Sequence, residues 1–289
     1  MEESSKKILI AGAGPAGLTA AIYLSRAGFD TTVFSAEEYC SSSLYEASMV
    51  ENFPGFPEGI SGAELVTRMQ EQAVLNGAIV SPLKIVKIDS DGKNAVDDCG
   101  NSHHYDAIVV AVGRIPLKLS FPGDDRIFQH TCAVCDGMAF KSKDVIVIGG
   151  GDTAFSEALY LSRICNKVTM VIRRDVPRVS NKVVFNEALS TGNIEILWNS
   201  EIKSVEFPSP EFKLARFSVK EKDGGIKEAT REFHGLFSCV GFKRNTIEIV
   251  GNGNVHFCGD CDADETQFQA VIAAGTGART ALKIIDGDL

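Results

Sequence analysis

The sequence predicts an α/β protein with two Rossmann-like dinucleotide-binding domains of the three-layer ββα type, the second inserted into the first. Two glycine-rich turns, at 12–17 and 149–154, each follow a short apolar strand and each begin a helix. This order is typical of the unit that cradles a dinucleotide pyrophosphate. Two later strands end alike, with V-A-V-G at 110–113 and S-C-V-G at 238–241. The repetition indicates two domains of one plan.

Composition and chain order predict the domain boundaries. Residues 115–125 contain two prolines, a glycine and paired aspartates, which is typical of a linker. The last helix, expected over Gln267–Ile285, would return to the N-terminal domain and complete it. We therefore predict a first domain formed by 1–114 and 246–289, with a second domain, 115–245, inserted into it.

The overall charge argues against some classes of partner. Of the 289 residues, 44% are hydrophobic and 23% are charged, so the chain can bury a large core in one or two domains. A net charge of −9 disfavours nucleic-acid and anionic membrane surfaces. The N-terminus is acidic, and no apolar run approaches the length of a membrane span. We expect a cytoplasmic protein with no nucleic-acid or membrane partner.

The first glycine-rich turn reads G-A-G-P-A-G and follows the apolar strand Lys7–Ala11. Gly12 allows the tight turn, Gly14 lets the backbone approach a pyrophosphate, and Gly17 lets helix and strand pack closely. The alternative is a purely structural turn. The strand, turn and helix occur in the order that nucleotide binding requires, which favours the functional interpretation.

The second turn reads G-G-G-D-T-A and follows the apolar strand Asp144–Ile148. The strands after the two turns end differently: Ser35 stands where a ribose-binding acid is usual, and the second strand ends in Arg173 and Arg174, with Arg178 nearby. Arginine at this corner suits a 2′-phosphate, although a solvated charge cluster is the alternative. Glutamates at 37–38 leave the first ribose contact open.

The segment H-T-C-A-V-C-D-G at His130–Gly137 places two thiols three positions apart, just ahead of the second turn. Cysteines at this spacing at a helix start can close a small disulfide ring, and the helix N-terminus favours the reactive thiolate. The alternative is half of a zinc site, because Cys258 and Cys261 form a second pair of the same spacing. We favour the redox disulfide and expect no metal. We expect reduced, mainly structural thiols at Cys40, Cys99, Cys165, Cys239 and Cys258.

These features together resemble a low-molecular-weight thioredoxin reductase through most of the chain. The resemblance is carried by Gly12–Gly17, Glu51–Gly55, Cys132–Gly137, Gly149–Ala154, Glu157–Leu161, Arg173-Arg174, Gly241, Asn245-Thr246 and Gly259-Asp260. The C-x-x-C-D-G motif in this position is highly specific.

The resemblance implies two cofactors, FAD in the first domain and NADPH in the inserted one. The FAD residues it implies are Gly12, Gly14, Pro15, Ala16, Gly17, Asn52, Gly113, Gly259, Asp260, Gln269 and Ala270. The NADPH residues it implies are Gly149, Gly151, Asp152, Thr153, Arg173, Arg174 and Arg178. Cys135 would face the flavin, Cys132 would attack the disulfide of thioredoxin, and Asp136 would be the general acid. The resemblance also implies a homodimer.

Three departures from the family pattern affect the surroundings of the flavin. Ser41–Ser43 replace the usual Gly-Gly-Gln, and Phe268 stands where arginine usually precedes Gln-Ala. The segment Ile247–His256 is short, so the small sheet of the family is expected to be largely missing there. Two other functions therefore stay open: a dithiol oxidase of the same fold that passes electrons to oxygen, and a redox or nucleotide sensor without turnover.

The expected electron path requires movement. Nicotinamide and disulfide belong to the inserted domain and the flavin to the other, so each must reach the flavin in turn. We expect the inserted domain to rotate about its two connections, near Gly113–Leu119 and near Gly241–Thr246.

Overall fold

The computed structural model describes residues 5–36, 42–45, 47, 49–221, 223–264 and 268–287, without the side chain of residue 126. The chain divides into two compact units, Met1–Ile115 with Arg244–Leu289, and Pro116–Lys243. The boundaries expected from the sequence lie within two residues of these. Several residues discussed above lie outside the described part: Glu37, Glu38, Cys40, Ser41 and Gln267.

The secondary structure alternates strands and helices in both units. The first unit begins with β1 (Lys7–Ala11), α1 (Pro15–Arg26), β2 (Asp30–Phe34), α2 (Gly62–Leu75), β3 (Ile79–Ser81), β4 (Ile85–Asp89), β5 (Asn94–Asp97), β6 (Ser102–His104), β7 (Ala107–Val110) and β8 (Arg114–Pro116). The second contains β9 (Gln129–His130), α3 (Ala133–Asp136), β10 (Asp144–Ile148), α4 (Asp152–Ser162), β11 (Lys167–Val171), α5 (Lys182–Ser190), β12 (Ile194–Leu197), β13 (Ser200–Glu206), β14 (Lys213–Lys220), β15 (Ile226–Phe233), β16 (Gly235–Ser238) and β17 (Phe242–Arg244). The chain returns to the first unit with β18 (Glu248–Val250), β19 (His256–Phe257) and α6 (Ala270–Ile285). Short 3₁₀ turns cover Asp124–Arg126, Gly137–Phe140 and Gly259–Cys261.

The first unit has the predicted three layers. Its main sheet is parallel, in the order β19-β7-β1-β2-β3. On one face, Ile8 and Ile10 pack among residues of α1, α2 and α6, and on the other face Leu9 packs with Ile88 of the smaller sheet β18-β4-β5-β6. Because both faces are covered, the strands are almost continuously apolar.

Helix α6 approaches α1 at a glycine. A Cβ at Gly277 would lie 2.0 Å from the Ala16 carbonyl oxygen, so a larger residue there would separate the two helices. The N-terminal strand–turn–helix and the C-terminal tail thereby form one core. The short segment before β19 contributes a single three-residue strand, β18, which extends the smaller sheet by parallel pairing with β4.

The second unit repeats this plan. Its main sheet is parallel, in the order β12-β11-β10-β16-β9, with α4 and α5 on one face and the antiparallel sheet β13-β14-β15 on the other. The fold class predicted from the sequence is thus confirmed. Over 194–236 the sequence alternates short apolar runs with turns, which predicts a small antiparallel meander. This prediction is correct for β13–β15 but wrong for Ile194–Leu197, which joins the main sheet beside β11 in parallel.

The chain passes from one unit to the other within β8 and returns within β17. The Leu117 amide donates to the Gly241 carbonyl at 2.9 Å, and the Asn245 amide donates to the Gly113 carbonyl at 2.9 Å. These are the two places at which the sequence predicts rotation, which stays a prediction. Among the described helices, none is both long and apolar enough to span a bilayer.

Candidate functional site

The glycine-rich turn of the first unit is shaped by close backbone contacts. Gly12 has a φ of +111°, and a Cβ there would lie 2.3 Å from the Ala111 carbonyl oxygen. At Gly17 a Cβ would lie 1.9 Å from the Gly12 oxygen, whereas at Gly14, the N-cap of α1, it would first meet Ser42 at 3.4 Å. The turn therefore brings a bare helix N-terminus to an approachable surface, which fits a pyrophosphate.

The C-terminal tail brings further predicted FAD residues together. Asn52 donates from Nδ2 to Oε1 of Gln269 at 3.0 Å, although 217 positions separate them in the chain. Gln269 is the N-cap of α6, and Ala270 is the first residue of that helix. The Gly259 amide donates to the Thr276 hydroxyl at 2.9 Å, which fixes the turn carrying Asp260. A Cβ at Gly259 would lie 2.7 Å from the Ala16 Cβ, so the C-terminal tail reaches the predicted cofactor turn.

Arg114 is a residue of this region that the sequence interpretation missed. Its Nε donates to Oδ2 of Asp260 at 2.7 Å, and both side chains are mostly buried. Its guanidinium carbon lies 4.0 Å from the centre of the Phe268 ring. A guanidinium group is attracted to the face of an aromatic ring, so Arg114 and Phe268 form a cation–π contact. The signal in the sequence was an arginine directly after the glycine that ends a buried apolar strand.

The turn of the second unit is similarly tight. Gly149 has a φ of +145°, and a Cβ there would lie 2.3 Å from the Cys239 carbonyl oxygen. Gly151 is the N-cap of α4, whose first two residues are Asp152 and Thr153. The Asp152 carboxylate accepts from the amides of Ser180 and Asn181, at 2.8 and 3.0 Å. It therefore holds the loop after β11 against the turn.

The predicted arginines lie at the border of this turn. Arg173, Arg174 and Arg178 are all exposed, and none is salt-bridged to another described residue. The Arg178 amide donates to the Gly150 carbonyl at 2.8 Å, so its backbone is attached directly to the turn. Guanidinium groups that are not already neutralised next to a helix N-terminus fit a 2′-phosphate.

Cys132 and Cys135 form a disulfide, with an S–S distance of 2.06 Å and a Cα–Cα distance of 5.4 Å. Cys132 is the N-cap of α3, and its Sγ accepts from the Cys135 amide at 3.0 Å. The predicted disulfide at a helix start is therefore present. The zinc alternative is wrong for this pair in this state, because its sulfurs are bonded to each other rather than free to ligate.

The surroundings of the disulfide are asymmetric. Cys132 is 3% exposed, whereas Cys135 is exposed. Glu157 of α4 is buried, and its carboxylate accepts from the amide of Ala133, which is the first of the two residues between the cysteines and the first residue of α3. Asp136, the expected general acid, ends α3, and its Oδ2 lies 2.7 Å from Nδ1 of His130. Glu157 carried the family resemblance but had no role assigned from sequence.

The second cysteine pair, Cys258 and Cys261, consists of free buried thiols. Burial raises the pKa of both thiols, which disfavours the thiolate that acts as nucleophile. Cys261 Sγ donates to the Val110 carbonyl at 3.3 Å. This pair is built as core packing around the Gly259 turn and is poorly suited to replace the disulfide.

The chain has two units with the fold of a dinucleotide-binding domain, and one of them carries a C-x-x-C disulfide at the start of a helix. This combination defines a disulfide oxidoreductase with two dinucleotide sites. Residues 6–281 match the family described as pyridine nucleotide-disulphide oxidoreductase, and the chain belongs to that family. Enzymes named thioredoxin reductase from Streptomyces clavuligerus and Chlamydia pneumoniae are 36% and 37% identical to it, covering 96% and 93% of this chain and 92% and 89% of theirs. The crystal structure of Lactococcus lactis thioredoxin reductase superposes with a TM-score of 0.84 at 26% identity, over 98% of this chain and 99% of that one. The resemblance inferred from the sequence is confirmed.

Proposed function

We propose that this protein is a thioredoxin reductase. It passes electrons from NADPH through FAD and the Cys132–Cys135 disulfide to thioredoxin or a thioredoxin-like protein. The observation that carries the proposal is the disulfide at the N-terminus of α3, in the same unit as an arginine-bordered nucleotide turn. The partner follows from the names of its relatives and from the exchange chemistry that a C-x-x-C disulfide performs.

The glycine turns and their polar neighbours would hold the two cofactors. FAD would be held by Gly12, Gly14, Pro15, Ala16, Gly17, Asn52, Gly113, Gly259, Asp260, Gln269 and Ala270. NADPH would be held by Gly149, Gly151, Asp152, Thr153, Arg173, Arg174 and Arg178. When bound, FAD supplies two-electron transfer between the nicotinamide and the disulfide. The protein contributes the tight turns, the helix N-termini and the guanidinium groups that hold these molecules in place.

In the exchange step, Cys132 attacks the partner disulfide, Cys135 resolves the mixed disulfide, and Asp136 returns a proton to the leaving thiolate. The N-cap position of Cys132 supports this order, because the α3 N-terminus and the Cys135 amide stabilise a thiolate there. Accessibility supports the reverse order, since Cys135 is the more exposed sulfur. We favour Cys132, because the thiolate is the form that attacks a disulfide and access changes when a partner binds.

A trapping experiment decides the order of the cysteines. The Cys135→Ser enzyme, reduced and mixed with oxidised thioredoxin, should accumulate a covalent mixed disulfide on a non-reducing gel. The Cys132→Ser enzyme should not. The exposed free Cys99 provides a matched control, since Cys99→Ser should keep full activity. Trapping by the Cys132→Ser enzyme alone would reverse the two roles.

One anaerobic titration tests the function as a whole. The purified protein should be yellow, NADPH should bleach the flavin absorbance, and oxidised thioredoxin should restore it with turnover. Reoxidation that needs oxygen, with reduction driven by a small dithiol instead of NADPH, would identify a dithiol oxidase. Bound flavin without turnover with either reductant would identify a sensor. A protein with no flavin bands, even after reconstitution with FAD, would overturn the proposal.

Assembly and location belong to the proposal in the same way. The family resemblance supports a homodimer, and the enzyme is proposed to act in the cytoplasm, where NADPH and thioredoxin are available. Light scattering on the FAD-loaded protein should give about twice the chain mass, and a monomer at micromolar concentration would refute the dimer.

A further inference from the structure

A histidine lies against the acid of the disulfide motif. His130 ends β9, two positions before Cys132, and its Nδ1 lies 2.7 Å from Oδ2 of Asp136. The histidine side chain is 16% exposed and the aspartate side chain 40%. The aspartate thus reaches solvent beside the disulfide while its partner is enclosed.

The histidine ring is held in one orientation by three phenylalanines. Ring centres of Phe128, Phe140 and Phe237 lie 4.7, 5.0 and 5.1 Å from that of His130. Phe237 is also the strand partner of His130, so backbone pairing and ring packing fix the same position. Lys118 lies beyond this cage, with its Nζ 4.7 Å from the Phe128 ring centre. Within the described chain, Asp136 is the acid that contacts the enclosed ring.

We propose that His130 is a positioning residue for Asp136, and that the two side chains together hold the proton exchanged with the dithiol. The inference deepens the disulfide-reductase function proposed above and rests on it. An aspartic acid in water has a pKa near 3.9, so only about one in a thousand carries a proton at pH 7. Imidazole is the side chain that titrates near neutrality, so a carboxylate–imidazole pair can keep a proton where a lone carboxylate cannot.

The proton balance of the exchange shows why such a store is useful. The reduced enzyme begins with a Cys132 thiolate, a Cys135 thiol and one proton on the pair. Cys132 Sγ bonds to one substrate sulfur, the substrate S–S bond breaks, and the leaving thiolate takes the proton from the pair.

The pair then removes the Cys135 proton, and the Cys135 thiolate attacks Cys132 Sγ, which re-forms the enzyme disulfide. The second substrate thiolate leaves and receives that proton. Two electrons and two protons have moved from the enzyme to the substrate, and the pair has acted once as a store and once as a relay. The ring fixed by its cage keeps the Asp136 carboxyl oriented in both steps.

Two substitutions of His130 distinguish the effect of its hydrogen-bond donor from the effect of its titratable ring. His130→Phe fills the aromatic cage without a hydrogen-bond donor, and His130→Asn supplies an amide donor near the Nδ1 position that does not titrate. His104→Phe is the matched control, because it makes the same change at an exposed histidine of β6 in the first unit. Asp136→Asn gives the effect of losing the acid itself.

NADPH-reduced holoenzyme is mixed anaerobically with oxidised thioredoxin, and the rate of enzyme reoxidation is measured. The pH is varied from about 5.5 to about 9, which includes the neutral range in which imidazole titrates. His130→Phe should slow reoxidation about 10- to 100-fold, at or just below the lower end of the roughly 100- to 10,000-fold that general acid–base groups contribute. Flavin bleaching by NADPH should be unchanged. His130→Asn should recover part of the rate at low pH and lose it as the pH rises, while His104→Phe should keep the profile of the unmodified enzyme.

The outcomes distinguish this inference from the function on which it rests. Suppose that the unmodified enzyme reduces thioredoxin and that Asp136→Asn is slow. A His130→Phe variant with the rate and pH profile of the unmodified enzyme would then overturn the role of His130 and leave the proposed function standing. If His130→Phe does not fold, a His130→Asn variant with the pH profile of the unmodified enzyme would equally overturn the role of His130. An unmodified enzyme that reduces neither thioredoxin nor a small aromatic disulfide would overturn both.

Discussion

Replacing Arg173 and Arg174 by alanine tests how the protein selects NADPH over NADH. Both guanidinium groups are exposed just beyond the end of β11, and Arg178 shares the corner through its backbone bond to Gly150. None of the three is salt-bridged to a described side chain, so each can contact a ligand phosphate without first breaking an ion pair. The double substitution removes two of the three charges and leaves the turn itself intact.

The expected magnitude follows from exposure. A hydrogen bond to a charged group contributes about 1.5–3 kcal/mol, and water and salt reduce that at exposed sites to the lower end. Two contacts at about 1.5 kcal/mol each give about 3 kcal/mol, or on the order of a hundredfold in kcat/KM for NADPH. One substitution alone should cost about tenfold. NADH lacks the 2′-phosphate, so its kcat/KM should change by less than about twofold.

Steady-state kinetics with both cofactors, at low and high salt, provides the assay. The unmodified enzyme should lose NADPH efficiency as salt rises, and the double variant should show a flatter dependence. Arg163→Ala is the matched control, because that arginine is 70% exposed at the opposite end of α4 and pairs only loosely with Glu187 at 3.6 Å. Equal use of the two cofactors by the unmodified enzyme, or equal loss of both in the variant, would refute the assignment.

Three further substitutions test the framework around the site. Gly17→Ala should abolish FAD retention, measured as the flavin-to-protein absorbance ratio, because its Cβ would lie 1.9 Å from a backbone oxygen, whereas Gly275→Ala, with open space around it, should leave FAD bound. Glu157→Leu should lower the free energy of unfolding by about 1–3 kcal/mol in urea titrations, since it leaves a buried amide without its acceptor, and Glu157→Gln should restore most of it. A hydrogen bond from Arg231 lowers the pKa of Glu195 from 4.5 to about 2, so its stabilisation is present above about pH 5 and is lost as the pH falls toward 2. Glu195→Gln should therefore cost about 1–2 kcal/mol at pH 7 after allowance for screening, with a penalty that shrinks in acid; a constant penalty would contradict the charge explanation.

The sequence alone determined the features whose physical cause is local. Each glycine turn is encoded within six residues, because the φ values and close approaches that it needs are available only to glycine. The disulfide is equally local, since two thiols three positions apart at a helix start are already within bonding reach. The strands before each turn are apolar at nearly every position, and this composition alone predicted a parallel sheet with both faces buried.

The tertiary structure decided everything that depends on which distant strands lie side by side. Asn52 meets Gln269, and Arg114 meets Asp260, because sheet order and helix packing bring the C-terminal tail against the N-terminal turn. No local pattern contains these pairings. The strand at Ile194–Leu197 was misassigned for the same reason: its apolar run suits either sheet, and only its register beside β11 settles the choice.

The segment His130–Gly137 also shows which features the sequence determines and which the tertiary structure determines. The sequence places His130 beside the cysteines, yet its proximity to Asp136 depends on β9 pairing with β16 and on three phenylalanines from separate segments that turn its ring. Residue types along a chain therefore determine which chemistry is available, whereas the orientation of a side chain is set by neighbours that only the folded core supplies.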